Sequence, residues 1–212
     1  MAFLAGSIFL KGALPAATLW WGWFRCEKSQ WRDRGHIIST LLSCFIAIAL
    51  ARALALMLPF RVRPLHLVGL NFLPPYGIKQ SLLIGWSSFP SDHMVLFCCL
   101  CAGLLFLSRK LGVLSLLYVA VFIAFPRVYL GLHYPSDIIA GAVIGVGIGW
   151  IGNVYIYRSS ISKLIVRWSD SKPAFFYPLF FLCTFEVGEL LGFGRDLFRG
   201  LAELTKIMHT KF

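Results

Sequence analysis

The sequence predicts an all-α polytopic membrane protein, a six-helix transmembrane bundle, from its composition and from the length of its apolar runs. Of 212 residues, 58% are hydrophobic and only 14% charged, far from the average of a soluble domain. The apolar residues gather into runs close to the roughly 20 residues that a helix needs to cross a hydrocarbon core of about 30 Å. These runs are 3–24, 36–58, 91–107, 111–125, 136–157 and 174–193. They leave little chain for anything else, so residues 1–212 read as one integral membrane domain.

Each run has its own character. The first contains Lys11 and Pro15 and follows no basic leader, so a signal peptide is not expected. Five spans plus an interfacial helix is the alternative to six. The third and fourth are short and joined only by Ser108, Arg109 and Lys110, which predicts an antiparallel hairpin whose free ends share one side of the membrane. The fifth carries GAVIGVGIGW, with Gly141, Gly145 and Gly149 four residues apart. No strand precedes it, so close helix contact is expected here and not a dinucleotide loop. The sixth holds Glu186 and Glu189, acids that need a protein or water partner in a membrane. Arg52 of the second run is the expected partner.

A net charge of +11 does not point to nucleic acid, because the cations are spread over short loops and form no stripe interleaved with aromatics. They read as orientation signals. Arg25, Lys28, Arg32 and Arg34 follow the first run, Arg109 and Lys110 the third, and Arg158, Lys163, Arg167 and Lys172 the fifth. In a six-span chain that face is cytoplasmic by the positive-inside rule. Residues 59–90 and 126–135 and the C-terminal tail then lie outside, although Arg195, Arg199, Lys206 and Lys211 of the tail dilute the bias. Cys26, Cys44, Cys98, Cys99, Cys101 and Cys183 lie mostly in apolar runs. They read as small packing residues, and CCLC lacks the spacing of a zinc site.

Three polar clusters interrupt the apolar pattern: FRVRP at 60–64, FPSDH at 89–93 and PRVYLGLHYPSD at 126–137. With six spans all three fall on one face. Arg61, Arg63 and Arg127 supply guanidinium forks, which match phosphate oxygens and keep their charge. Pro90 and Ser91 open a helix, and Ser91 and the free amides of its first turn, that of Asp92 included, add donors for an anion. His133 and Asp137 are spaced as an imidazole and its orienting carboxylate, which makes His133 the candidate nucleophile. His93 is left as the acid that protonates the leaving oxygen. His66, Lys79, Tyr129 and Tyr134 carry no such pattern and read as loop or lining residues.

Taken together, Arg63-Pro64, then Pro90-Ser91-His93, then Arg127, His133 and Asp137 resemble the three-part signature of the type 2 phosphatidic acid phosphatase superfamily. That signature is a lysine and an RP pair, then PSGH, then SR, five residues, H, three residues and D. The resemblance runs from about residue 52 to about residue 157. It implies a six-helix membrane fold, a phosphohistidine at His133, acid work at His93, and no metal or other cofactor. It also implies lipid phosphate substrates, and the short RP-type first motif and compact size look most like bacterial undecaprenyl diphosphate phosphatases. An inner-membrane location with the site on the periplasmic or outer face follows.

Three positions depart from the pattern. Leu56 stands where the lysine belongs, and Arg61 is the expected replacement, with Arg52 and Lys79 as alternatives. Asp92 replaces the glycine, and its side chain is expected to turn away to cap or to pair with Lys79. Pro126 replaces the serine, which removes one hydroxyl donor. Phosphatidic acid, phosphatidylglycerol phosphate and lipid A remain alternative substrates. A lipid-to-lipid phosphotransferase and a transporter are alternative functions, although a transporter places its polar residues at mid-membrane. The sequence sets no oligomeric state.

Overall fold

A computed structural model describes residues 7, 9–25, 28–67, 69 and 83–188. Within them the chain forms seven helices: α1 (Leu14–Phe24), α2 (Gln30–Met57), α3 (Asp92–Leu107), α4 (Arg109–Tyr129), α5 (Pro135–Tyr155), α6 (Ser160–Ser171) and α7 (Pro173–Gly188). A π-helical turn, Phe9–Ala13, leads into α1, and a π-helical stretch, Val119–Ala124, interrupts α4. Among the described residues there is no strand. Three helices, α2, α4 and α5, are long and apolar enough to cross a membrane, while α3 and α7 are shorter apolar helices. The protein is an α-helical membrane bundle.

The bundle is built around α3. Every residue of it from Met94 to Leu104 is buried, because α2, α4 and α5 surround it. The glycines of α5 make this possible. A methyl group added at Gly141 would lie 2.8 Å from the Ser91 carbonyl oxygen, and one at Gly149 would lie 2.6 Å from that of Cys99. At Gly145 it would collide with the Val95 carbonyl. Lining one face with small residues lets two backbones touch, which in a membrane replaces the hydrophobic drive that lipid removes.

The α3–α4 hairpin forms as the sequence predicts, with Ser108 alone as the break: its Oγ accepts the Leu111 N–H at 3.5 Å and α4 begins at once. Helix α1 packs on α7 through aromatic rings, Trp23 and Phe180 at 4.7 Å between centroids and Trp20 and Phe180 at 4.9 Å.

The apolar runs predict six helical segments, and α6 is an additional one. Its segment SISKLIVRWSDS is too polar to register as an apolar run, yet Ser162, Val166 and Ser169 form a buried stripe at helical spacing. That period, with Lys163 and Arg167 on the other side, is the signature of a helix lying along a membrane surface. Helix α7 is described to Gly188, so Glu189 and the basic tail residues lie outside the described residues, as do Cys26 and Lys79. No ion pair joins Glu186 to Arg52 among the described residues.

Candidate active site

Three loop segments meet where α3 and α5 begin and α4 ends, and backbone hydrogen bonds join them. The Ser88 N–H donates to the Arg61 carbonyl at 2.9 Å, Leu65 N–H to Gly131 at 2.8 Å, and Ser91 N–H to Asp137 at 3.3 Å. Gly131 has φ of +67°, a turn that side-chain-bearing residues rarely take. Leu65, Leu130 and Leu132 form a small buried cluster beneath. Thus 60–66, 87–93 and 126–137, distant in sequence, become one surface.

At its centre stands His133, 6% exposed. Its Nδ1 lies 2.8 Å from the Ser88 carbonyl oxygen, an acceptor only, so Nδ1 carries the proton and Nε2 keeps its lone pair. Arg63 Nη1 approaches that Nε2 at 3.2 Å. Burial pushes the His133 pKa below its ordinary value, Asp137 works against the shift, and Arg63 and Arg127 add to it. The ring is therefore neutral at pH 7.

Asp137 is placed differently from the sequence reading. Its Oδ2 is 3.8 Å from His133 Nδ1, beyond hydrogen-bonding distance. The carboxylate accepts instead from Ser88 Oγ at 2.5 Å, from the Tyr134 N–H at 2.8 Å and from Arg61 Nη1 at 2.5 Å. The physical reason is that His133 precedes α5 while Asp137 lies in its first turn, so the carboxylate folds back onto the helix start. Ser88, which the sequence reading passed over, touches both: its carbonyl orients the ring and its hydroxyl holds Asp137. The paired serines before Pro90 were its only sequence signal.

Arg61, expected in place of the missing lysine, is committed to Asp137 and to Ser136 Oγ at 2.9 Å, with its guanidinium 4.2 Å above the Tyr134 ring. It braces the site from outside. Arg63 donates to the carbonyls of Leu132 at 2.6 Å and Ser87 at 3.0 Å. Its burial lowers its pKa, opposed by the charges of Asp92 and Asp137. Arg127, 4% exposed, lies deeper.

Arg63 Nε, Arg127 Nε and Nη2, and Ser91 Oγ are all buried with no hydrogen-bond partner among the described residues. Four buried donors left without partners are costly. Ser91 is also the residue before α3 and makes no side-chain cap, so the first amides of that helix stay uncapped. Asp92 and His93 open the helix, both half-buried. Asp92 lies close enough for its charge to act on Arg63 and Arg127, and its expected partner Lys79 lies outside the described residues. Arg127, Arg63 and His133 lie within electrostatic reach of His93. Among the described residues no three His, Cys, Asp or Glu side chains are grouped to hold a metal.

Comparison with known proteins points the same way. The sequence model of the PAP2 superfamily matches residues 36–161. Among curated proteins, "Bacitracin transport permease protein BcrC" of Bacillus licheniformis is 32% identical over 93 residues, 44% of this chain and 38% of its own. "Undecaprenyl-diphosphatase BcrC" of Bacillus subtilis is 34% identical over 97 residues, 40% of this chain and 50% of its own. "Lipid A 4'-phosphatase" of Bacteroides thetaiotaomicron is 42% identical over 69 residues, 32% of this chain and 30% of its own. The match spans half or less of the length of these three relatives. No solved structure gives a significant match.

Proposed function

The chain belongs to the PAP2 superfamily, and we propose that it is a membrane lipid phosphatase that hydrolyses an isoprenyl diphosphate of the undecaprenyl kind through a phosphohistidine on His133. The observation that carries this reading is the cluster of orphaned donors on Arg63, Arg127 and Ser91 around a neutral, oriented imidazole. A buried cationic pocket of this kind suits a phosphoryl group and little else. The names of the relatives supply the substrate class, with lipid A as the second candidate.

The chemistry proceeds in two displacements. His133 Nε2 forms a bond to phosphorus while the bond from phosphorus to the leaving oxygen breaks, and His93 gives that oxygen its proton. The ring now carries positive charge, stabilised by the Ser88 carbonyl on Nδ1–H and by Asp137 behind it. A water then attacks phosphorus, passes a proton to His93, and the nitrogen–phosphorus bond breaks to release inorganic phosphate. Arg127, Arg63, Ser91 and the α3 amides hold the transferred oxygens throughout.

Orientation follows from charge. Arg25, Arg32, Arg34, Arg109, Lys110, Arg158, Lys163, Arg167 and Lys172 lie near the α1–α2, α3–α4 and α5–α7 connections, the ends away from the site. By the positive-inside rule the site opens on the outer, periplasmic face of a bacterial inner membrane.

The test is phosphate release by purified protein in detergent from isoprenyl diphosphate, phosphatidic acid, phosphatidylglycerol phosphate and a lipid A analogue. Release from the isoprenyl diphosphate, unchanged by excess EDTA and inhibited by vanadate, is expected, since guanidinium groups supply the neutralising charge. A lipid acceptor in place of water would appear as phosphorylated lipid without free phosphate. No turnover of any lipid would favour the transport suggested by one relative's name.

A further inference from the structure

Helix α3 carries His93 at the site end and an open cleft beneath it. The rings of His93 and Phe97 lie 6.4 Å apart between centroids, and Phe97 lines the cleft together with Leu100, Cys101 and Leu104. These four follow His93 by four, seven, eight and eleven residues, so they share the helix face on which it stands. Leu14 and Thr18 of α1 form one wall, and Ser115 and Tyr118 of α4 the other. The cleft measures about 280 Å³, far more than the gaps of a packed interior.

The lining is apolar and its width is set. The Thr18 hydroxyl is used within α1, donating to the Leu14 carbonyl at 2.9 Å. The Tyr118 hydroxyl donates across to the Leu10 carbonyl, one turn above Leu14, at 2.7 Å, which ties α4 to the chain that leads into α1. Leu14 and Leu114 are exposed at the rim, so the cleft opens sideways to the hydrocarbon of the membrane. The other sides of α3 are filled. Toward α5 its backbone meets Gly141, Gly145 and Gly149, and toward α2 Gly103 lies against Thr40.

In the reaction proposed above, on which this inference rests, the oxygen that takes the His93 proton stays on the lipid. The lipid chain therefore starts beside His93 and runs from there into hydrocarbon. We propose that the cleft between α1, α3 and α4 holds the first isoprene units of the substrate's chain, and so makes the protein discriminate long isoprenyl diphosphates from short ones. Burial of the chain against Phe97, Leu100 and Leu104 supplies binding, and a chain held there sets the bridging oxygen at His93.

Phosphate release by the full chain in detergent should be measured with a long-chain isoprenyl diphosphate and with dimethylallyl diphosphate, whose single isoprene unit leaves the cleft unfilled. Thr18→Trp and Ser115→Trp each fill the cleft from one wall. In both, kcat/KM should fall by about tenfold or more on the long chain, the scale of about two buried methylene groups, and stay within about threefold on the short substrate. Ser115→Leu should show the same selectivity to a lesser degree. Val113→Trp, at an exposed position of α4 outside the lining, should leave both rates unchanged. Equal losses on the two substrates in all three cleft variants, no loss on the long chain, or the same loss in Val113→Trp overturns the assignment. A wild-type protein with equal kcat/KM on the two substrates overturns it while leaving the phosphatase reading intact; one that cleaves neither overturns both.

Discussion

The two ends of the bundle use the same residue types to opposite effect. At the end carrying the α3–α4 turn, Asp33 is fully buried and accepts from Arg25, Arg32 and Ser29 at 3.0–3.1 Å, and Arg34 pairs with Asp170 at 2.9 Å. His36 bonds Asn153 at 3.0 Å and stacks on Tyr157 at 4.0 Å. There, both buried acids and cations find partners, although the surface of that end carries an excess of positive charge. At the other end Arg63, Arg127 and Ser91 keep buried donors without partners among the described residues. Arginine and histidine alone do not identify a site in this protein; an uncompensated set of them does.

The sharpest way to break this comparison is to remove a histidine from each end. His133→Ala should lower turnover by about a thousandfold or more, because the covalent route is lost, and should abolish labelled phosphoenzyme in an acid quench. His36→Ala should leave turnover within about threefold and instead lower the melting temperature, as expected of a buried hydrogen bond worth about 1–3 kcal/mol. Comparable activity loss in both would dissolve the distinction.

Next come the charges. Arg127→Leu should cost about a hundredfold or more in kcat/KM yet leave thermal stability unchanged or raised, since it removes a buried cation with orphaned donors. Asp33→Asn should do the reverse, keeping turnover while destabilising by about 1–3 kcal/mol as its three donors lose their acceptor charge. Thermal unfolding in detergent alongside kinetics separates the two; a stability loss in Arg127→Leu as large as that of Asp33→Asn would count against the reading.

A smaller effect is expected at Asp137. In the proposed mechanism the nucleophile is neutral His133, whose pKa is held below its ordinary value of 6.5 chiefly by burial. Protonation then removes activity only below that value, so the acid limb of kcat/KM should fall under pH 6.5. Asp137 opposes the downward shift, so Asp137→Asn should move the limb lower still while reducing kcat by about tenfold. A limb that moves upward would mean that another group sets the pKa of the ring.

The mildest test concerns the contact that joins the two ends. A methyl group at Gly149 would lie 2.6 Å from the Cys99 carbonyl oxygen, while one at Gly147 meets nothing within 4 Å. Gly149→Ala should destabilise by about 1–3 kcal/mol and Gly147→Ala should be neutral or slightly stabilising. Equal melting temperatures would show that α3 and α5 are less tightly joined than their backbones suggest.

Composition and apolar run length were enough to place the helices α2, α3, α4, α5 and α7, because a membrane solvent leaves a chain few other ways to satisfy its backbone. The spacing of Arg63, Ser91, His93, Arg127, His133 and Asp137 marked the candidate site, and the segments that carry them converge in the fold. Helix α6 escaped because its signal is a period and not a mean hydropathy. What only the tertiary structure decided is who faces whom. Arg61 pairs with Asp137, the Ser88 carbonyl accepts a hydrogen bond from Nδ1–H of His133, and the Ser88 hydroxyl holds Asp137. Pairing between distant segments depends on helix register and on where each first turn points its side chains, and no local pattern encodes either.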